Sequence, residues 1–474
     1  MKLLILLMCL LTACGHAQVE SSIQLPRTAP NPFAQYAERV AQIVQTGRVD
    51  RGAHQKLTEL CDDIGCRLSG SQGLENAVQW ALASLKRDGL ANVHAEPVTV
   101  QKWVRGSESL QLLEPRMQTL AMLGLGSSVA TPLDGITAQV VVAHTEKELE
   151  TLGERVRGKI VLFDNPMPQW TPESGAQYGE TVRFRVHGPT LAAKHGAVAV
   201  LVRSVTARSL TSPHTGNTHY EEGVGKIPAA ALSVEHSALL ARLVAQGKNV
   251  VVKLRMDAHL EGQAQSANVI ADLPGREPDE IVIVSGHLDS WDVGQGAHDD
   301  GAGVVMAMQA VKLLKSLGMT PRRTIRVVLW TNEENGLAGG KAYAQQHAGE
   351  LDKHVAAIEA DSGAFRPEAI GIELEDKTKQ AQASGQLAKI TELFSGMKLE
   401  VHPDNSGADV GPMRTGGVPL LGLIMESSTY FDYHHTQADT LDKVDPALLA
   451  EGEALFAGLA WLLAEWPGRL GERL

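Results

Sequence analysis

The sequence predicts an α/β protein: a mixed central sheet covered by helices, interrupted by an inserted β-rich segment. Three observations lead there. From about Ser266 onward, short apolar runs alternate with stretches of helical periodicity, the pattern of strands and helices that share one sheet. Across residues 124–258 this gives way to short apolar strands, such as Lys159-Ile-Val-Leu-Phe163 and Ala197-Val-Ala-Val-Leu201, joined by Gly-, Pro- and Thr-rich connections. Ahead of that change, a helical pattern over residues 74–90 runs into a strand candidate at 93–100. The expected organisation is a leader at 1–19, the first part of a discontinuous catalytic domain at 20–123, the insert at 124–258 and the rest of the catalytic domain at 259–474.

Bulk properties narrow the function. The chain has 474 residues, 43% of them hydrophobic, which is enough for two or three packed domains. A net charge of −12 and the absence of Lys/Arg blocks argue against a surface that tracks phosphates, so no nucleic-acid partner is expected. Residues 1–13 pair a basic start with an apolar run too short to span a bilayer comfortably, the form of an export signal. Leu11-Thr12-Ala13-Cys14 resembles a bacterial lipoprotein box, which would anchor the chain through lipid on Cys14 at the periplasmic face or the outer membrane. The alternative is cleavage near Gly15-His16-Ala17 and free secretion. Cys9 and Cys14 belong to the leader, leaving Cys61 and Cys66 either to close a small disulfide loop or to remain two buried reduced thiols.

The residues that carry chemistry sit where apolar runs end. Ile281-Val-Ile-Val284 reads as a buried strand delivering Ser285-Gly286-His287-Leu288-Asp289 at its carboxyl end, the position at which open α/β sheets place ligands. Imidazole is a common zinc donor, and Asp289 is placed to orient His287 through its carboxylate. Asp299, in Gly296-Ala-His-Asp-Asp-Gly301, offers two oxygens able to bridge two cations, while Asp300 caps the apolar helix expected at 304–317. The run Thr324-Ile-Arg-Val-Val-Leu-Trp-Thr331 ends in Asn332-Glu333-Glu334, with Glu333 read as general base and Glu334 as metal ligand. Asp361 follows a further apolar patch, and His435 is preferred over His434 in Tyr433-His-His-Thr-Gln-Ala-Asp-Thr440. Two divalent cations would polarise a scissile carbonyl and acidify a water, with His287 and Asp361 on one ion, Glu334 and His435 on the other, and Asp299 between them. Mixed nitrogen and oxygen donors favour zinc. Asp409 stands as either a partner of this set or an ordinary turn residue.

These motifs, in this order, resemble those of the M28 family of dinuclear zinc peptidases. The resemblance implies a zinc-exopeptidase fold, two zinc ions per chain on His287, Asp299, Glu334, Asp361 and His435, Glu333 as base, and a cis peptide after Asp299. Further segments extend the likeness over nearly all of the chain beyond the leader: Arg67-Leu-Ser-Gly-Ser71, Leu74-Glu75, Asp88-Gly-Leu90, Glu96-Pro97-Val98, Trp103 and His287 through Gly294. They point to a branch of the family that hydrolyses dipeptides with free termini, is often homodimeric, and carries an insert that looks like a protease-associated domain. The same fold also hosts two other functions: a catalytically silent receptor-like binding protein, which would have lost metal ligands, and a glutaminyl cyclase-like acyltransferase with one zinc.

Overall fold

The computed structural model describes residues 31–208 and 210–473; the leader, with Cys9, Cys14 and the cleavage site near Ala17, lies outside them. Ile281, Val282, Ile283 and Val284 are each at most 6% exposed, because helices cover both faces of the strand that carries them. A run apolar at every position, not only every second one, is what such a doubly covered strand requires.

In chain order, β1 (Ala91–Val104) is followed by β2 (Glu108–Glu114), β3 (Gln118–Leu120), β4 (Met122–Gly124), β5 (Ile136–Ala143), β6 (Ile160–Phe163), β7 (Ala199–Arg203), β8 (Ala229–Leu232) and β9 (Val251–Met256). Then come β10 (His259–Leu273), β11 (Glu277–His287), β12 (Arg323–Trp330), β13 (His354–Ala360), β14 (Pro367–Glu373), β15 (Glu400–His402) and β16 (Leu420–Met425). They form two eight-stranded sheets, β1-β10-β12-β11-β13-β16-β14-β15 and β3-β2-β9-β5-β6-β7-β8-β4. The first is mixed: β12, β11, β13 and β16 run parallel side by side, and β1, β10 and β14 pair antiparallel.

The second sheet takes in 108–123 as well, a stretch expected in the catalytic part. Leu110, Leu112 and Leu120 bury their side chains with Val252 and Leu254 in that sheet's own core. The alternation of β2 is the same whichever sheet it joins, so the pattern alone does not place it. Nor is the segment purely β: β5 to β8 pair in parallel, with helices Arg183–Lys194 and Val234–Ala245 packed among them.

Helix Ala302–Ser316 is apolar almost all round because it lies between the first sheet and helix Pro446–Glu465. Burying each of its Val, Leu and Met side chains contributes about 1.5–3 kcal/mol. Helix Pro446–Glu465 starts on an Asp445 cap, with Pro446 at its first position. It is long and apolar enough to cross a bilayer, but it is a core helix here. Cys61 and Cys66 are both free, so the disulfide loop is not formed. Cys61 is buried, which pushes its thiol up to about 12, whereas Cys66 is exposed, unlike the buried pair considered above.

Candidate metal centre

The carboxyl ends of β12, β11, β13 and β16 open on one edge of the sheet, and the predicted residues arrive there from all four strands. His287 ends β11, in register with Trp330 at the end of β12. Glu333 and Glu334 follow β12, Asp361 follows β13, and the loop after β16 brings in His434 and His435. Asp299 comes from the loop that enters helix Ala302–Ser316, and the Asp299–Asp300 peptide is cis.

The distances divide these residues into two groups that share Asp299. Its Oδ1 lies 3.3 Å from Nε2 of His287, which is 3.6 Å from Oδ1 of Asp361. Its Oδ2 lies 3.1 Å from Nε2 of His435, which is 3.1 Å from Oε2 of Glu334. Tetrahedral zinc with bonds of about 2.0–2.1 Å sets its ligand atoms roughly 3.3–3.4 Å apart. The donor atoms are therefore spaced as two such ions require. Asp299 Oδ2 and Glu334 Oε1 are buried and receive no hydrogen bond, which is costly unless a cation meets them. The donor set fits zinc.

The charge balance points the same way. Burial disfavours a charged His287, yet Asp299 and Asp361 outweigh it and hold its pKa well above 6.5. His435 is raised likewise, against burial, by Glu334 and Asp299. Asp299 is held well below the carboxylate range, because His287 and His435 outweigh its burial. Glu334 is pushed up to about 7 by burial and by the charge of Asp299. Burial raises Glu333 well above 4.5; His287 opposes this only in part, and Asp361 and Glu334 add to it. Without metal, the neighbouring carboxylates thus favour protonated imidazoles, and zinc must displace those protons. Zinc affinity should rise with pH between about 6 and 8, on the order of tenfold per unit for each proton displaced. Chelator-competition titrations check this, and an affinity independent of pH would contradict it.

Three further carboxylates hold the loops in position, and one of them, Asp300, also lies with His287 and Asp361 at a spacing that could hold a metal ion. Asp289 was expected to orient His287 through its carboxylate. The Nδ1–H of His287 donates to the Asp289 main-chain carbonyl (3.0 Å), with the Asp289 carboxylate 3.8 Å from the same nitrogen. The Asp289 carboxylate accepts the backbone N–H of Glu333 (3.0 Å) and of Glu334 (3.3 Å), and the Ser69 hydroxyl (3.1 Å). Asp439 does the same for the bridging residue, taking the N–H of His298 (2.8 Å) and of Asp299 (3.1 Å). Asp300 accepts from the N–H groups of His287 and Gly303, both at 3.0 Å, which ties its carboxylate to the loop and helix start. His434 stacks on His435, ring centroids 3.5 Å apart, with its Nε2 3.7 Å from Asp299. Only His435 also meets Glu334.

The insert reaches this centre. Thr215, in the loop between β7 and β8, donates its N–H to the His435 carbonyl (3.0 Å), and its own carbonyl faces His435 Nδ1 (3.3 Å). A cavity of about 800 Å³ opens over Asp299, Glu333, Glu334 and Asp361, walled on one side by Tyr178, Arg185 and Asn217 of the insert. Asp409 is fully buried nearby, its backbone N–H 3.4 Å from Glu359 and its own carboxylate without a hydrogen-bond partner. Sequence reasoning missed Thr215 altogether, and it quoted Asp439 only as part of a motif. The signal for Asp439 was its place four residues after His435; no local pattern marks Thr215. Asp439→Asn, which turns an amide toward two N–H donors, should weaken zinc binding or kcat by about 10- to 100-fold. Zinc titration and kinetics on the purified variant check it, and wild-type values would contradict the clamp.

Paired imidazole and carboxylate donors around one bridging Asp, at the carboxyl edge of a mixed sheet, define a metallohydrolase centre. The chain belongs to peptidase family M28, whose sequence model matches residues 268–460, and is a metallopeptidase. It is 37% identical to carboxypeptidase Q of Xenopus laevis over 458 residues, 95% of each chain. With carboxypeptidase Q of Homo sapiens it shares 38% identity over 431 residues, 90% of this chain and 89% of that one. The crystal structure of a peptidase M28 precursor from Shewanella amazonensis SB2B is similar throughout, with TM-score 0.86, 37% identity, and coverage of 92% of this chain and 98% of that one. BSAP, a zinc aminopeptidase from Bacillus subtilis, shares the fold at TM-score 0.63 and 18% identity, over 86% of this chain and 94% of that one.

Proposed function

We propose that the chain is a dinuclear zinc exopeptidase that hydrolyses dipeptides or very short peptides. The observation that carries this reading is Asp299, whose two carboxylate oxygens turn to two different imidazoles, His287 and His435. His287 and Asp361 would hold one ion, and His435 and Glu334 the other. Zinc held there would polarise the scissile carbonyl and acidify a water molecule. Glu333, on the cavity wall, would take a proton from the attacking water as its oxygen bonds to the carbonyl carbon, and pass it to the leaving nitrogen as the C–N bond breaks. Asp289 fixes the backbone from which Glu333 and Glu334 project, so its part is positioning.

The preference for dipeptides draws on the similarity to carboxypeptidase Q. We also read the segment spanning the second sheet as a protease-associated domain, the chain as exported on its leader and anchored at Cys14, and the enzyme as a homodimer. Hydrolysis of free dipeptides that stops on chelation and returns with zinc is the expected result. A purified protein that cleaves no peptide after zinc is restored would overturn the reading in favour of a binding protein.

A further inference from the structure

Away from the metal centre, two histidines converge on one carboxylate. Glu96, on β1, turns its Oε1 to Nε2 of His347 at 3.0 Å and to Nε2 of His94 at 3.4 Å. None of the three lines the cavity over Asp299. His94 and Glu96 stand two apart on the strand, so their side chains leave it on one face. His347 comes from the end of helix Ala338–Gln346, where the Gln346 side chain donates to the Pro97 carbonyl (3.3 Å) and holds the helix against the strand. The His347 ring stacks on Tyr343, centroids 4.1 Å apart, which fixes its plane.

The placement of protons makes this group unusual. Nδ1 of His94 lies 2.7 Å from the Asn92 carbonyl, which can only accept, so Nδ1 carries the ring proton. Nδ1 of His347 faces the Glu350 carboxylate at 3.8 Å. In a neutral imidazole with its proton on Nδ1, Nε2 is an acceptor, and here two such atoms face a carboxylate oxygen that also only accepts. Glu96 Oε2 is buried and receives no hydrogen bond, and among the described residues no Lys or Arg nitrogen lies within 4.0 Å of this carboxylate. Acceptors turned on one another repel unless a cation, a proton or a metal ion, sits among them. Two imidazoles and a glutamate are a zinc donor set that leaves a fourth position for water. Outer nitrogens turned to a carbonyl and a carboxylate are the usual means of orienting such histidines. The separations of 3.0 and 3.4 Å fit the roughly 3.3–3.4 Å between ligands of tetrahedral zinc. The His94 side chain, 41% exposed, is free to shift toward a shared ion.

We propose that His94, Glu96 and His347 form a further zinc site, separate from the centre at Asp299, that fastens the end of helix Ala338–Gln346 to β1. That helix follows the loop carrying Glu333 and Glu334, so an ion here braces the far end of a segment whose near end serves the centre. The site is the weaker of the two, because its donors are partly exposed and no carboxylate bridges it to a second ion. Calorimetric titration of zinc into the zinc-loaded enzyme at pH 7.5, where an ordinary imidazole is about nine-tenths neutral, tests the proposal. The wild type should take up one further zinc per chain, which dialysis against metal-free buffer removes while the ions at Asp299 stay. His94→Ala and His347→Ala should each weaken that uptake by at least about tenfold, with the rate of peptide hydrolysis unchanged. No further uptake by the wild type, or uptake unchanged in either variant, would overturn the proposal and leave the peptidase reading untouched. Should the variants not fold, anomalous diffraction at the zinc edge from wild-type crystals soaked in zinc decides: a peak beside Glu96 supports the site, and none there overturns it.

Discussion

Glu333→Gln is expected to keep both zinc ions and to lose about 10²- to 10⁴-fold in kcat. The substitution preserves the shape of the side chain and removes only its capacity to take a proton. It leaves the backbone N–H of residue 333 on the Asp289 carboxylate, so the loop that presents Glu334 should hold. Zinc content, KM and kcat measured on the same preparation separate this outcome from collapse of the site. A variant with near-normal kcat would mean that another group moves the proton. Loss of zinc along with activity would mean that Glu333 is a ligand.

Asp299→Ala should be the most damaging change at the centre. Both clusters of donor atoms depend on this side chain, with Oδ1 toward His287 and Oδ2 toward His435. Without it, two carboxylates and two imidazoles lose the group that ties them together, and zinc should fall from two ions per chain to one or fewer. Metal ions supply several kcal/mol of stabilisation to the reacting carbonyl, so kcat/KM should drop by roughly 10³-fold or more. If Asp299→Ala kept two zinc ions, the bridge would belong elsewhere. Asp300 is the nearest alternative, although its oxygens already accept from His287 and Gly303.

Much of this arrangement was legible because strand ends and ligand positions coincide. Residues 281–284 and 327–330 are apolar without a break, which marks strands covered on both faces, and the histidine and acidic residues come soon after them. Parallel pairing then brings His287, Glu334 and Asp361 to one edge with no further information needed. The contacts that hold the ligands in place were not legible in this way. The Asp289 carboxylate hydrogen-bonds the backbone of a loop on the neighbouring strand and lies 3.8 Å from Nδ1 of the histidine two residues before it, and nothing in a His-x-Asp triplet decides how it divides between those partners. Thr215 meets His435 across 220 positions of sequence, through main-chain atoms that every residue possesses. The start of the second sheet at Glu108 was hidden because an alternating strand reads the same in either sheet.

The central claim is that Asp299 bridges two zinc ions, and counting zinc in the purified protein by mass spectrometry tests it most directly. The account predicts close to two zinc per chain in the wild type. One zinc per chain, unchanged after dialysis against excess zinc, would contradict it.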